Sequence, residues 1–331
     1  MSDATRQDIA ISVEGLTKRF GRTQALRGVS FTVDTGSVVG VLGPGGAGKT
    51  TTLRVLATLL KPDSGRVAVG GYDVCRAAPA VRRAIGFAGQ REALDEFLGG
   101  RENLTMIGRL SGMGRTAARN RADELLGEFG LTTEAERPVK SYSSAARRRL
   151  DLAACLVARP RILLLDEPTA GFDPRSQHAM WDAVKELVAE GTTLVLATQH
   201  LEEADRLADR LVILDRGRVV ADGTPARLKA AAGPGRLEVC VSSGGDLPTA
   251  AFVLGDFTTG PATIDSVTRR ILVHVDERPQ LATDVVLSMQ AAGISLDDCA
   301  LRRPSLDEAF LALTAEHRNP TARDGAAAVI H

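Results

Sequence analysis

Apolar residues fall along this chain in two kinds of run. Near the start they alternate with polar ones, as in Ile11-Ser12-Val13 and Val29-Ser30-Phe31-Thr32-Val33, the period of strands with one buried face. Three later runs, 38–42, 162–165 and 194–197, are apolar throughout. They are too short for helices and predict strands buried on both faces. Helical patterns follow Thr50, fill about 100–160 (117–129 is one example) and return at about 177–190. Buried strands alternating with helices predict an α/β fold around a mainly parallel sheet. Lys61-Pro62-Asp63-Ser64-Gly65 reads as a turn before a strand at 66–69, and 211–220 as a closing hairpin.

Composition shifts at Ala230-Ala231-Ala232-Gly233-Pro234-Gly235, which reads as a linker. Beyond it, strands at 237–241 and 271–275, a helix at 281–292 and a last helix after Pro304 predict a small α+β module over 236–316. Ser305 and Glu308 have the spacing of a capping box for that last helix. The polar, then Ala-rich tail, 317–331, is expected to be disordered.

With 331 residues, 44% of them hydrophobic, the chain accommodates one large domain and a small one. The 41 basic and 41 acidic side chains cancel, so no global field draws it to nucleic acid. Cys75, Cys155, Cys240 and Cys299 are scattered, without zinc or disulfide spacing. No apolar signal core opens the sequence and no apolar stretch is long enough to span a bilayer. Neither a signal peptide nor a transmembrane segment is expected.

The chemistry starts at Gly43-Pro44-Gly45-Gly46-Ala47-Gly48-Lys49-Thr50, between a buried strand and a helix that opens with Thr51. This is G-x-x-x-x-G-K-[ST] in its required setting. Glycines let backbone N–H groups converge on phosphate, and the new helix adds its positive end. Lys49 can reach the β- and γ-phosphates, and Thr50 can ligate Mg²⁺. Residues 43–51 therefore predict a nucleoside triphosphate site.

Asp166 and Glu167 end the buried run 162–165. Ligands of open parallel sheets bind at the carboxyl ends of the strands, so both acids belong beside the phosphates. Asp166 suits Mg²⁺, and Glu167 suits a general base that polarises the attacking water.

These motifs, with Asp166-Glu167-Pro168-Thr169 and Gly171-Phe172-Asp173-Pro174 following in order, resemble the ATPase subunit of ATP-binding-cassette (ABC) transporters over about residues 9–230. The resemblance implies a P-loop ATPase domain with a parallel sheet core, an antiparallel β-subdomain and a helical subdomain at about 91–160. It implies that Phe20 stacks on adenine, that Gln90 touches Mg²⁺ and water, and that Asp173 lies at a dimer seam. Arg302-Arg303-Pro304-Ser305-Leu306-Asp307-Glu308-Ala309-Phe310 and Gly100-Arg101-Glu102-Asn103-Leu104 are similar to the daunorubicin/doxorubicin-resistance subfamily. That likeness implies drug export through a separate integral-membrane permease subunit, with this chain peripheral on the cytoplasmic face of the membrane. It further implies a head-to-tail homodimer or heterodimer of ATPase subunits. Each ATP would lie between residues 43–50 of one subunit and 143–146 of the other, and the region 90–103 would press on the permease.

Three positions depart from the family pattern. Gly45 stands where Asn is common. The signature segment reads Ser143-Ser144-Ala145-Ala146, keeping the serine and losing both glycines; the rival reading it suggests is an ATP-binding regulatory or heterodimer partner with little turnover. The switch position holds Gln199, which can donate to the γ-phosphate without titrating; His200 is expected to face away. The Arg147-Arg148-Arg149 run is expected as a solvated helix face.

Overall fold

The computed structural model describes residues 9–89, 94–231, 233, 235–258, 260–276, 278, 280–302 and 304–318, with side chains through Thr314 in the last segment. It divides into two compact units that meet in sequence between Thr224 and Pro225.

The first unit opens with β1 (Ile9–Phe20), paired antiparallel to β2 (Thr23–Asp34) on one edge and β4 (Ser64–Val69) on the other; β5 (Tyr72–Asp73) continues from β4. Ile11, Val13 and Leu16 are all buried, although strict alternation would turn Leu16 outward. The register slips between Val13 and Leu16, where Gly15 has φ 59°. This bulge returns Leu16 to the core.

A second sheet in that unit runs β10-β9-β3-β8-β7-β6. Its parallel members are β3 (Val38–Leu42), β6 (Ile85–Ala88), β7 (Ile162–Asp166), β8 (Thr193–Thr198) and β9 (Arg210–Asp215). β10 (Arg218–Gly223) closes the edge antiparallel. Every residue of β3, β7 and β8 is buried, which explains their unbroken apolar runs. Truncating a fully buried leucine such as Leu164 would cost about 2–5 kcal/mol.

Helices α1 (Lys49–Leu56), α6 (Pro174–Ala189) and α7 (Leu201–Leu207) follow β3, β7 and β8 in turn. Ahead of β6 lies α2 (Ala78–Ala84), and between β6 and β7 lie α3 (Gly100–Leu110), α4 (Arg115–Glu128) and α5 (Ser144–Leu156), packed on one another. Buried Asn103 staples the loop before α3: its amide donates to the carbonyls of Asp95 and Gly99 (both 3.0 Å) and its oxygen accepts from Asp95 N–H (2.8 Å).

The arginine run on α5 is not a solvated face. Arg149 donates to Phe129 O (2.9 Å), Arg147 to Val139 O (3.4 Å), and Arg148 to backbone carbonyls at the ends of β6 and β7. Neighbouring elements end around α5 and leave carbonyls that the planar, multi-donor guanidinium satisfies.

The second unit has sheet order β12-β13-β11-β14, all antiparallel: β11 (Gly235–Val241), β12 (Thr263–Asp265), β13 (Arg270–Val275) and β14 (Leu296–Arg302). Helices α9 (Leu247–Leu254) and α10 (Leu281–Ala291) supply the core facing Leu237, Val239, Ile271 and Val273. Glu238, on the opposite face, pairs with Arg270 and Arg302. The Ala-rich stretch expected as a linker is instead partly the end of α8 (Pro225–Ala231), which packs on α11 (Leu306–Arg318). Ser305 Oγ accepts from Glu308 N–H (3.2 Å) while Glu308 Oε2 accepts from Ser305 N–H (3.1 Å), a reciprocal capping box. The first two residues of the expected tail continue α11, and 319–331 lie outside the described residues. Among the described residues no helix is long and apolar enough to cross a membrane.

Candidate functional site

Three adjacent parallel strands open on one edge of the larger sheet. The register sets Leu42 of β3 opposite Thr198 of β8, and Asp166 of β7 opposite Ala197 of β8. Residues 43–48 leave β3 at that edge, Glu167 leaves β7, and Gln199 leaves β8. It is the edge where open parallel sheets hold ligands.

The glycine-rich turn is tight where it touches the rest of the fold. Gly48 has φ 110°, and a Cβ there would lie 2.6 Å from Leu26 Cδ2 and 3.0 Å from Ala25 O. A Cβ on Gly43 would fall on the Leu214 carbonyl oxygen. Gly45 meets nothing within 4 Å and has no left-handed φ, so its departure from Asn changes no backbone requirement. Gly217, at the tip of the β9–β10 hairpin, braces the turn by donating to Ala47 O (3.0 Å) while accepting from Arg27 N–H (2.7 Å).

Lys49 is 6% exposed; its Nζ donates to Gly43 O (2.7 Å) and Pro44 O (3.2 Å) and lies 3.5 Å from Glu167 Oε1. Thr50 Oγ1 donates to Asp166 Oδ1 at 3.1 Å. Burial raises the Asp166 pKa, opposed by that hydrogen bond. Asp166 Oδ2 and Glu167 Oε2 are buried without a hydrogen-bond partner. A threonine hydroxyl beside under-satisfied carboxylate oxygens is an all-oxygen donor set of the kind a hard divalent cation takes, so these residues fit Mg²⁺. Glu167 itself adopts φ 52°, a left-handed conformation uncommon outside glycine.

A cavity of about 640 Å³ collects Phe20, Gly45, Gly46, Ala47, Gly48, Lys49, Thr50, Thr51, Glu167 and Gln199 in its wall. Phe20 is 47% exposed and offers a flat apolar face, with Lys18 Nζ 5.7 Å from its ring centroid. Gly43 and Pro44 contribute the carbonyls that hold Lys49, and Asp166 reaches the wall through Thr50.

Ser143 and Asp173 stand apart from that wall as exposed helix N-caps. Ser143 Oγ accepts from Ala146 N–H (3.1 Å). Asp173 accepts from the backbone and hydroxyl of Ser176 (3.1 and 2.6 Å), bonds that hold its pKa below the usual value. Gln90 lies outside the described residues. His200 caps α7 and does not line the cavity.

The cavity wall also includes Ser144, from the segment expected to face ATP across a dimer, and Ala25, Arg148, Ala170 and Phe172, to which the sequence reading gave no role at the nucleotide. Ser144 and Arg148 are one helical turn apart, and Arg148 is one turn from buried Asp151 and Leu152. Helical periodicity on α5 was therefore the available signal for Arg148.

Residues 26–170 match the family described as ABC transporter. The chain is 51% identical to "Daunorubicin resistance ATP-binding protein DrrA3" of Streptomyces coeruleorubidus, across 94% of this chain and 98% of that one. It is 42% identical to "Doxorubicin resistance ATP-binding protein DrrA" of Mycobacterium tuberculosis, across 93% and 95% respectively. Among solved structures it resembles a dimeric ATP-binding cassette in a post-hydrolysis state bound to ADP and Pi, with TM-score 0.61 and 26% identity over 65% of this chain and 98% of that one.

Proposed function

The chain belongs to the ABC transporter family as an ATP-binding subunit and ATPase, and from that membership we propose that it uses Mg-ATP at residues 43–51 to drive export of a drug-like or antibiotic compound through a separate membrane permease. One observation carries the reading: Lys49 and Thr50, which follow β3, converge with Asp166 and Glu167 at the end of β7, across the intervening β8. The resistance proteins to which the chain is similar along nearly its whole length support the drug class.

In this mechanism adenine stacks on Phe20 and backbone N–H groups of 45–51 take the phosphates. Lys49 redirects its ammonium from the Gly43 and Pro44 carbonyls to the β- and γ-phosphate oxygens. Thr50 and Asp166 would hold Mg²⁺, which when bound offsets phosphate charge and polarises the transferred group. Glu167 takes a proton from water as the water oxygen bonds to the γ-phosphorus and the bond to the ADP oxygen breaks. Gln199, in the cavity wall, donates its amide to the γ-phosphate.

A second ATPase subunit completes the site, presenting its 143–146 segment across the nucleotide. Exposure of the Ser143 and Asp173 caps supports that arrangement. Closure of the pair around ATP and release after hydrolysis transmit work to the permease, which holds the subunit at the cytoplasmic face of the membrane. The module over 236–316 is an accessory to this cycle.

The test is Glu167→Gln in the full chain. Phosphate release should fall about 10²–10⁴-fold, with Mg-ATP binding kept and an ATP-bound dimer retained on size-exclusion chromatography. A Glu167→Gln protein that stays monomeric and hydrolyses ATP at the wild-type rate overturns the assignment.

A further inference from the structure

Arg148 makes an unusual set of contacts. From α5 its Nε donates to Pro168 O (3.2 Å), and Nη2 donates to both Asp166 O (3.0 Å) and Glu167 O (3.2 Å). Its Nη1 donates to Gly89 O at the end of β6 (2.7 Å) and lies 3.5 Å from the buried Asp151 carboxylate. The side chain is 11% exposed and borders the nucleotide cavity, yet its hydrogen bonds go to backbone and to Asp151.

Three consecutive carbonyls, of residues 166, 167 and 168, thus converge on one cation. Such convergence leaves carbonyl dipoles crowded unless a multi-donor group sits among them. The middle residue is Glu167, at φ 52°, a conformation that persists in non-glycine residues only where the surroundings over-determine it. Its backbone N–H is fixed by Ala197 O on β8 (2.8 Å) and its backbone oxygen by Arg148. With the peptide groups on both sides of the Glu167 Cα held, the side chain projects to within 3.5 Å of Lys49 Nζ.

We propose that Arg148 is a positioning residue for ATP hydrolysis, clamping the 166–168 backbone so that the Glu167 carboxylate is aimed at the attacking water. The inference rests on the reading of Glu167 as general base. A lysine at this position could place its charge but not span carbonyls from two strand ends, because its donors radiate from one atom. Arg148 also joins the first turns of α5, where Ser144 borders the cavity, to the catalytic turn through a single guanidinium.

The experiment compares Arg148→Gln and Arg148→Lys with wild type in the full chain, measuring kcat by phosphate release, Mg-ATP affinity by calorimetry, and melting temperature. Misplacing a catalytic group by about 1 Å costs on the order of 10²-fold. Arg148→Gln should therefore lower kcat about 10–100-fold while affinity stays within about 3-fold, and Arg148→Lys should recover part of the loss. The double variant Arg148→Gln/Glu167→Gln should turn over no more slowly than Glu167→Gln alone, because the arginine acts through the glutamate. Wild-type kcat in Arg148→Gln, parallel losses of kcat and affinity, or a further fall in the double variant overturns the proposal. If Arg148→Gln does not fold, the kcat-against-affinity split in Arg148→Lys decides. Loss of turnover in Glu167→Gln with none in the Arg148 variants rejects only the role of Arg148. Wild-type turnover in Glu167→Gln rejects the reading beneath it.

Discussion

Lys49 Nζ lies 3.5 Å from Glu167 Oε1, with 6% and 9% of the two side chains exposed. Each charge compensates the other in a setting where neither is well hydrated. Lys49→Ala removes a phosphate donor and also leaves Glu167 without its cationic neighbour. The affinity for Mg-ATP should fall at least about 10–100-fold, the worth of a charge-assisted bond of about 1.5–3 kcal/mol, read as lost heat in titration calorimetry. The melting temperature should fall too, and adding Glu167→Gln to Lys49→Ala should restore part of it. Unchanged binding heat in Lys49→Ala removes the basis of the nucleotide site.

Ser144 and Ala145 occupy the first turn of α5, where the family pattern places glycines, and Ser144 lines the cavity. Their Cβ atoms favour the helix, and in the proposed dimer they would hold its backbone off a phosphate. Ser144→Gly/Ala145→Gly should raise steady-state phosphate release by about one to two decades if one charge-assisted contact is regained in the transition state. It should also destabilise α5 by about 1 kcal/mol, visible as a lower melting temperature. A lower melting temperature with unaltered turnover would mean that backbone approach at α5 does not limit the rate.

Burial raises the Asp166 pKa above its ordinary 3.8, so at neutral pH the folded state carries a carboxylate that the unfolded chain accommodates more easily. Asp166→Asn keeps an oxygen for Thr50 and removes that charge. Without nucleotide it should melt about 2–4 °C higher than wild type at neutral pH, as expected for roughly 1 kcal/mol. The sign with pH follows from the shift: as pH falls through the raised pKa the folded wild type takes up its proton first and the gap narrows. The same variant should lose the Mg²⁺ dependence of ATP binding. A gap that widens on acidification contradicts the assignment.

Much of the site was legible because its chemistry is contiguous. Residues 43–50 carry turn, ammonium and hydroxyl within one strand-to-helix junction, and Asp166 and Glu167 follow directly on an apolar run. The Ser305–Glu308 box was likewise readable from a spacing of three and forms as expected. Less was legible where register or packing overrides pattern. Leu16 is buried only because of a bulge. β14 hides its alternation behind acidic residues and a register irregularity opposite Cys240 and Val241. In α9, apolar residues predominate and eight positions barely display a helical period.

By itself the sequence determined which segments are the fully buried strands of the larger sheet, where the glycine-rich turn joins strand to helix, and which two acids follow a second apolar run, because each depends on residues close along the chain. Only the tertiary structure decided that Thr50 meets Asp166 across 116 positions, that Lys49 meets Glu167, and that Arg148 turns inward onto the carbonyls of 166–168. Strand order β3-β8-β7 creates those encounters. No local period encodes strand order; it is set by which buried faces and unpaired backbone groups the assembled sheet and helices satisfy together.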